Sequence, residues 1–103
     1  MAKKFELRYS PLFYEDLDKI TDYVLRELNN PSAALKLIND VETAIKKRLL
    51  SPTQAIVYKS LTEREHQYRR IIVGNYLIFY VVIGNTMIVR RMLYGRRDLD
   101  KII

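Results

Sequence analysis

With 103 residues, 29% of them charged, the chain can bury one modest core and is expected to form a single domain over residues 1–103. It has no cysteine, which excludes disulfides and thiolate metal sites, and a lone His66 argues against a histidine cluster, so no metal or cofactor is expected. The net charge of +6 is uneven: residues 1–50 carry nine Lys/Arg against eight Asp/Glu, and residues 51–103 carry nine against four. A basic half beside a near-neutral one points to a polyanionic partner, nucleic acid or an acidic protein.

Residues 3–9 alternate, with Phe5, Leu7 and Tyr9 against Lys4, Glu6 and Arg8, as in a short half-buried strand. Ser10-Pro11 then reads as a helix N-cap followed by proline at the first helical position. Phe13, Leu17, Ile20, Val24 and Leu28 follow at helical spacing, and this helix is expected to end near Asn29. Asn30-Pro31 repeats the start signal, and Ala34, Leu37, Ile38, Val41, Ala44, Ile45 and Leu49 form a second stripe. Lys46, Lys47 and Arg48 in its last turn favour the helix C-terminus, and Ser51-Pro52 stops it. Two such helices joined by a few residues predict an antiparallel helical hairpin.

Residues 51–66 show no regular period and read as a loop, with Ala55, Ile56 and Val57 as its apolar anchors. Beyond them lie three apolar runs, 67–73, 76–83 and 86–94, separated by Gly74-Asn75 and Gly84-Asn85. Gly-Asn between β-rich runs is a two-residue hairpin signal, because it accommodates positive φ. The middle run, YLIFYVVI, has no polar face and should be an interior strand covered on both sides. Asp98 to Ile103 reads as a short tail. The predicted fold class is α+β, in the order β-α-α-β-β-β, with the hairpin packed on an antiparallel sheet of about four strands. No N-terminal signal peptide and no membrane-length apolar stretch is visible, so the expected compartment is the cytoplasm.

Several side chains invite a functional and a structural reading together. Arg96 and Arg97, beside Gly95, suit phosphate or acidic protein, or simply a solvated strand end. Arg70 suits a phosphate clamp, or an ion pair with a helix acid such as Asp22 or Glu42. Arg90 and Arg91 are adjacent in one strand, so one should face each side, and at least one is expected to be paired structurally. His66 has a pKa suited to a general base but no orienting motif. Tyr94 fits sheet packing as well as chemistry, and Tyr68, Tyr76 and Tyr80 read mainly as core.

The element order, together with FYEDLDKITDYV, NNPSAALKLINDVETAI, YRRIIVGNYLIFY and RRMLYGRRD, resembles the toxins of RelE/ParE-type toxin–antitoxin systems over nearly the whole chain. The resemblance implies a toxin of a type II toxin–antitoxin (plasmid stabilisation) module that arrests growth and is wrapped by a cognate antitoxin. RelE-like members cut mRNA on the ribosome without metal, whereas ParE-like members poison DNA gyrase and lack the ribonuclease residues. Metal-free RNA cleavage needs a base, an acid and cations around the reacting phosphate. On the RelE-like reading Arg97 matches the family arginine after the strand-ending glycine, and Arg70, Lys59 and Tyr94 are further catalytic candidates. The other family arginine, four residues before the turn tyrosine, falls on Ile72, and no tyrosine follows the GRRD segment. These departures, with NNPSAA and VGNYLIFY, lean toward the ParE-like side. On that reading Arg70, Arg96 and Arg97 contact the target or the antitoxin.

Overall fold

The computed structural model of the chain describes residues 4–54, 57–63 and 66–95, and for 58–63 the backbone alone. The elements are β1 (Glu6–Tyr9), α1 (Pro11–Arg26), α2 (Pro31–Leu49), a one-turn 3-10 helix (Pro52–Gln54), β2 (Val57–Glu63), β3 (His66–Val73), β4 (Tyr76–Ile83) and β5 (Thr86–Tyr94). The strands form one sheet in the order β1-β5-β4-β3-β2, with the helical hairpin on one face.

The predicted β-α-α-β-β-β plan holds, with two additions. The stretch expected to be a loop contains β2, which pairs antiparallel with β3 and makes the sheet five-stranded. Its register with β3 shifts between Val57 and Thr62, so the chain there lacks the clean two-residue alternation that would have announced a strand. The sheet is also mixed: β1 runs parallel to β5, with Glu6 opposite Thr86 and Tyr9 opposite Val89. Parallel neighbours need a long connection, and here the hairpin and the whole meander supply it.

Both helices begin at proline, as expected, but their starts differ chemically. Asn30 caps α2 by accepting from the Ala33 N–H at 3.1 Å. Ser10 is extended and does not cap α1; its hydroxyl donates instead to the Arg90 carbonyl at 2.7 Å. The first helix stops at Arg26, short of the expected Asn29, because Asn29 takes a left-handed φ of 48° that reverses the chain. Leu28, the last member of the predicted stripe, is thereby left outside the helix and 57% exposed.

Two apolar clusters hold the sheet. On the helix side Phe13, Val41 and Ile45 pack against Ile71, Val73, Ile78, Tyr80, Met87, Val89 and Met92. On the far side Tyr68, Phe79, Val81 and Leu93 are buried together. β4 contributes Ile78 and Tyr80 to one face and Phe79 and Val81 to the other, all of them fully buried, which is why YLIFYVVI lacks a polar face. Tyr80 keeps its hydroxyl satisfied by donating to the Pro52 carbonyl. Burial pushes the Tyr80 phenol pKa up to about 12, with Arg48 and Arg69 opposing. Among the described residues no helix is long and apolar enough to cross a membrane.

Candidate functional site

The residues that the sequence singles out lie on opposite faces of the sheet. Arg70 stands opposite Phe79 and Ile72 opposite Leu77. Phe79 and Leu77 belong to the far-side cluster, so Arg70 and Ile72 share the face away from the helices. Arg70 is half-buried there, while Ile72 is 62% exposed. The two helix acids considered as partners for Arg70 pair along their own helices. Asp22 holds Arg26 at 2.8 Å, and Glu42 holds Lys46 at 2.7 Å.

Tyr94 ends β5 on the helix side. It is the register partner of Tyr76, and the two rings meet edge-on at 5.3 Å. The Gly95 N–H donates to the Asn75 carbonyl at 2.8 Å and ties the strand ends together. Tyr23 and Leu28, from the end of α1 and the turn after it, stand across from this pair. Between them opens a cleft of about 700 Å³, lined also by Asp16 and Lys19. Burial raises the Tyr76 phenol pKa, and the Tyr94 and Tyr23 phenols push it the same way, so the three hydroxyls act on one small volume.

One wall of this cleft is fixed by an ion pair. β1 stops pairing at Val89, which would leave the outer edge of β5 open from Arg90 onward. α1 closes it with side chains: Ser10 reaches the Arg90 carbonyl, and Asp16 accepts from the Met92 N–H at 3.0 Å. The same carboxylate takes Arg91 in two bonds, Nε at 2.7 Å and Nη2 at 3.1 Å. The hydrogen bond that Arg91 donates to Asp16 is the main cause of the raised Arg91 pKa. The expected structural pairing of one of the two adjacent arginines is therefore Arg91 with Asp16. Simple alternation of Arg90 and Arg91 fails, because the register shifts between Phe79 and Tyr80 and leaves Arg90 as a bulge. Arg69 is likewise structural, donating to the Thr53 carbonyl at 2.9 Å.

Lys59, expected in a loop, lies within strand β2, and its side chain is outside the described residues. Arg96 and Arg97 also lie outside them. His66 opens β3 opposite Glu63 in register. Arg70 and Tyr94 are not brought together; a sheet stands between them.

The sequence reading missed Asp16, Lys19, Tyr23 and Leu28 as a group. A signal was present. Asp16 and Tyr23 fall three residues from Phe13 and Ile20, on the shoulder of the apolar stripe rather than on the opposite, solvated face. A carboxylate at such a position demands a cation, and a tyrosine there has an apolar body to lay down and a hydroxyl to keep wet.

A family model described as the ParE toxin of the type II toxin–antitoxin system parDE matches residues 7–99. No curated protein matches the sequence. Among solved structures, the chain is similar to one from the chromosomal ParDE toxin–antitoxin system of P. aeruginosa, at 20% identity and a TM-score of 0.75, covering 91% of this chain and 99% of that one. It is also similar to a conserved hypothetical protein from Helicobacter pylori solved in solution, at 21% identity and a TM-score of 0.50, covering 87% and 93%. At these identities the structural likeness speaks to the fold.

Proposed function

The chain belongs to the ParE toxin family of type II toxin–antitoxin systems, and on that premise we propose that it arrests growth in the cytoplasm by inhibiting DNA gyrase while a cognate antitoxin holds it in check. The observation that carries the choice of target is the disposition of the sheet. Cleaving RNA without metal requires a base, an acid and cations converging on one phosphate. Arg70 is on the far face, Tyr94 is on the helix face, and the strand position that a RelE-like nuclease fills with arginine is an exposed isoleucine, Ile72. A toxin that works by occupying a protein needs none of these groups to converge.

The alternative is a metal-free mRNA endonuclease acting on the ribosome with Arg70, Lys59, Tyr94 and Arg97. It is favoured by Arg70 on the sheet face away from the helices and by the +5 charge of residues 51–103, nine cations against four anions. Brief expression of the chain, with mapping of mRNA ends, and a supercoiling reaction with purified gyrase distinguish the two. The expected result is lost supercoiling with unaltered mRNA ends. Codon-phased mRNA cuts with normal supercoiling would overturn the gyrase assignment.

A further inference from the structure

We propose that the outer edge of β1 is a homodimer interface, across which two copies of this chain pair their first strands antiparallel about a two-fold axis at Leu7. Such pairing is independent of whether the target is gyrase or mRNA.

One edge of the sheet is open where the others are guarded. β2, at one end of the strand order, is interrupted by a register shift against β3, a common device against edge-to-edge pairing. The β5 edge beyond Val89 is closed by Ser10 and Asp16. β1, at the other end of the order, keeps an unbroken register with β5 and holds no proline. The Glu6 N–H donates to the Asn85 carbonyl at 2.7 Å, and the Ser10 N–H to the Val89 carbonyl at 2.8 Å. Even-numbered peptide groups therefore turn toward β5, and those of Leu7 and Tyr9 point out of the edge, where another strand can take them.

Charge chooses both the occupant and the register. Glu6 and Arg8 are exposed and alternate with half-buried Leu7 and Tyr9, so they share the face away from the helices. Among the described residues neither has an ion-pair partner. Antiparallel pairing centred on Leu7 sets Glu6 against the partner's Arg8, and Arg8 against the partner's Glu6. On the helix side it sets Leu7 against the partner's Leu7 and Tyr9 against the partner's Phe5, and the outward peptide groups meet. Moving the axis by one residue, to Glu6 or to Arg8, places two like charges directly opposite each other, which destabilises the pair. The strand is thus its own complement in one register, as a two-fold interface requires. Tyr14, 53% exposed, leans on Tyr9 with ring centroids 5.5 Å apart and lengthens the apolar strip beside the edge. The contact is short, so the dimer belongs to the weak class, with a dissociation constant on the order of 10 μM.

The test is sedimentation equilibrium of the purified full-length chain from about 1 μM to about 1 mM, a range that brackets that constant. The variants are Glu6→Arg, Arg8→Glu and the double reversal Glu6→Arg/Arg8→Glu. Lys36→Glu is the control, a side chain 76% exposed on α2. Circular dichroism melts establish that each is folded, which the exposure of these side chains favours. The wild type should dimerise within the range. Each single reversal sets like charges opposite each other at both symmetry-related positions, and should raise the dissociation constant about tenfold or more, less so at high salt. The two reversals change net charge in opposite directions, so a shared loss reports on pairing rather than on overall charge. The double reversal restores opposite charges and should return to within about threefold of the wild type. An equimolar mixture of the two single variants should form a heterodimer, because each supplies the charge that the other lacks. Lys36→Glu should stay within about twofold of the wild type. A wild-type chain that stays monomeric throughout overturns the proposal. So does a dimer that both single reversals leave intact, or one that the double reversal and the mixture fail to restore; either assigns self-association to another surface. A loss in Lys36→Glu equal to that in the single reversals overturns it as well.

Discussion

Asp16 shows how much one side chain decides. Its carboxylate neutralises Arg91 and completes the β5 edge at Met92, and the two ionic side chains are only 12% and 17% exposed. At that burial the pair is shielded from water, and removing one partner strands the other charge. Asp16→Ala should cost about 2–4 kcal/mol of stability, read from urea unfolding. Replacing both residues with apolar ones of similar volume should cost less than the single change. A loss under about 1 kcal/mol for Asp16→Ala would mean that the pair behaves as a solvated one.

Tyr80 gives a pH dependence of definite sign. Its folded pKa of about 12 lies above the ordinary phenol value of 10.0, so the folded state prefers the neutral hydroxyl. Its contribution is fully present below pH 10 and is lost as the pH rises from 10 toward 12. The loss should reach about 2–3 kcal/mol at the top of that window, from two pKa units at 1.36 kcal/mol each. The difference in unfolding free energy between the wild type and Tyr80→Phe isolates it from the other tyrosines. A difference that stays flat with pH would show that the phenol ionises as easily in the fold as in the unfolded chain.

At the level of elements, local signals succeeded where the chain had to turn. Gly74 and Gly84 have φ of 57° and 61°, and neither following asparagine has a positive φ. Glycine alone carries the left-handed conformation, at the first central position, the pattern of a type II′ hairpin. A Cβ at Gly84 would meet nothing within 4 Å. Gly84→Ala should therefore lose only backbone strain, about 1–2 kcal/mol, and a much larger loss in a thermal or urea melt would mean that the turn is needed for more than its conformation. β2 shows where local signals ran out. Its pairing with β3 contains a register shift, so no unbroken alternation is written into Val57–Glu63. Ser10 carries a cap signal, but its hydroxyl is drawn to the β5 edge, 80 residues away in sequence.

For the whole molecule, the uneven charge of the chain was legible but its use was not. Arg69 and Arg91 are two cations of the basic half, and the fold employs one to fasten the turn after α2 and the other to lock α1 to the sheet. The candidate site shows the same division. Tyr94 and Arg70 were both recognisable as residue types suited to chemistry, yet they belong to opposite faces. Tyr23 is ordinary within its own helix, and Leu28 reads from the sequence only as the last member of the α1 stripe. They become a site only when the end of α1 crosses the ends of β4 and β5.

Local signals in the sequence specify the order of every element but β2, the helix starts, the two hairpin turns and the doubly buried middle strand. These follow from periodicity, proline and glycine, which act over a few residues. It also carried enough of the family's order and motifs to identify the kind of protein. That β1 joins β5 in parallel, that Asp16 meets Arg91 and that three tyrosines share one cleft are set by tertiary packing. Those contacts join residues about 50 to 80 positions apart, and their energies depend on burial and register that no local pattern records.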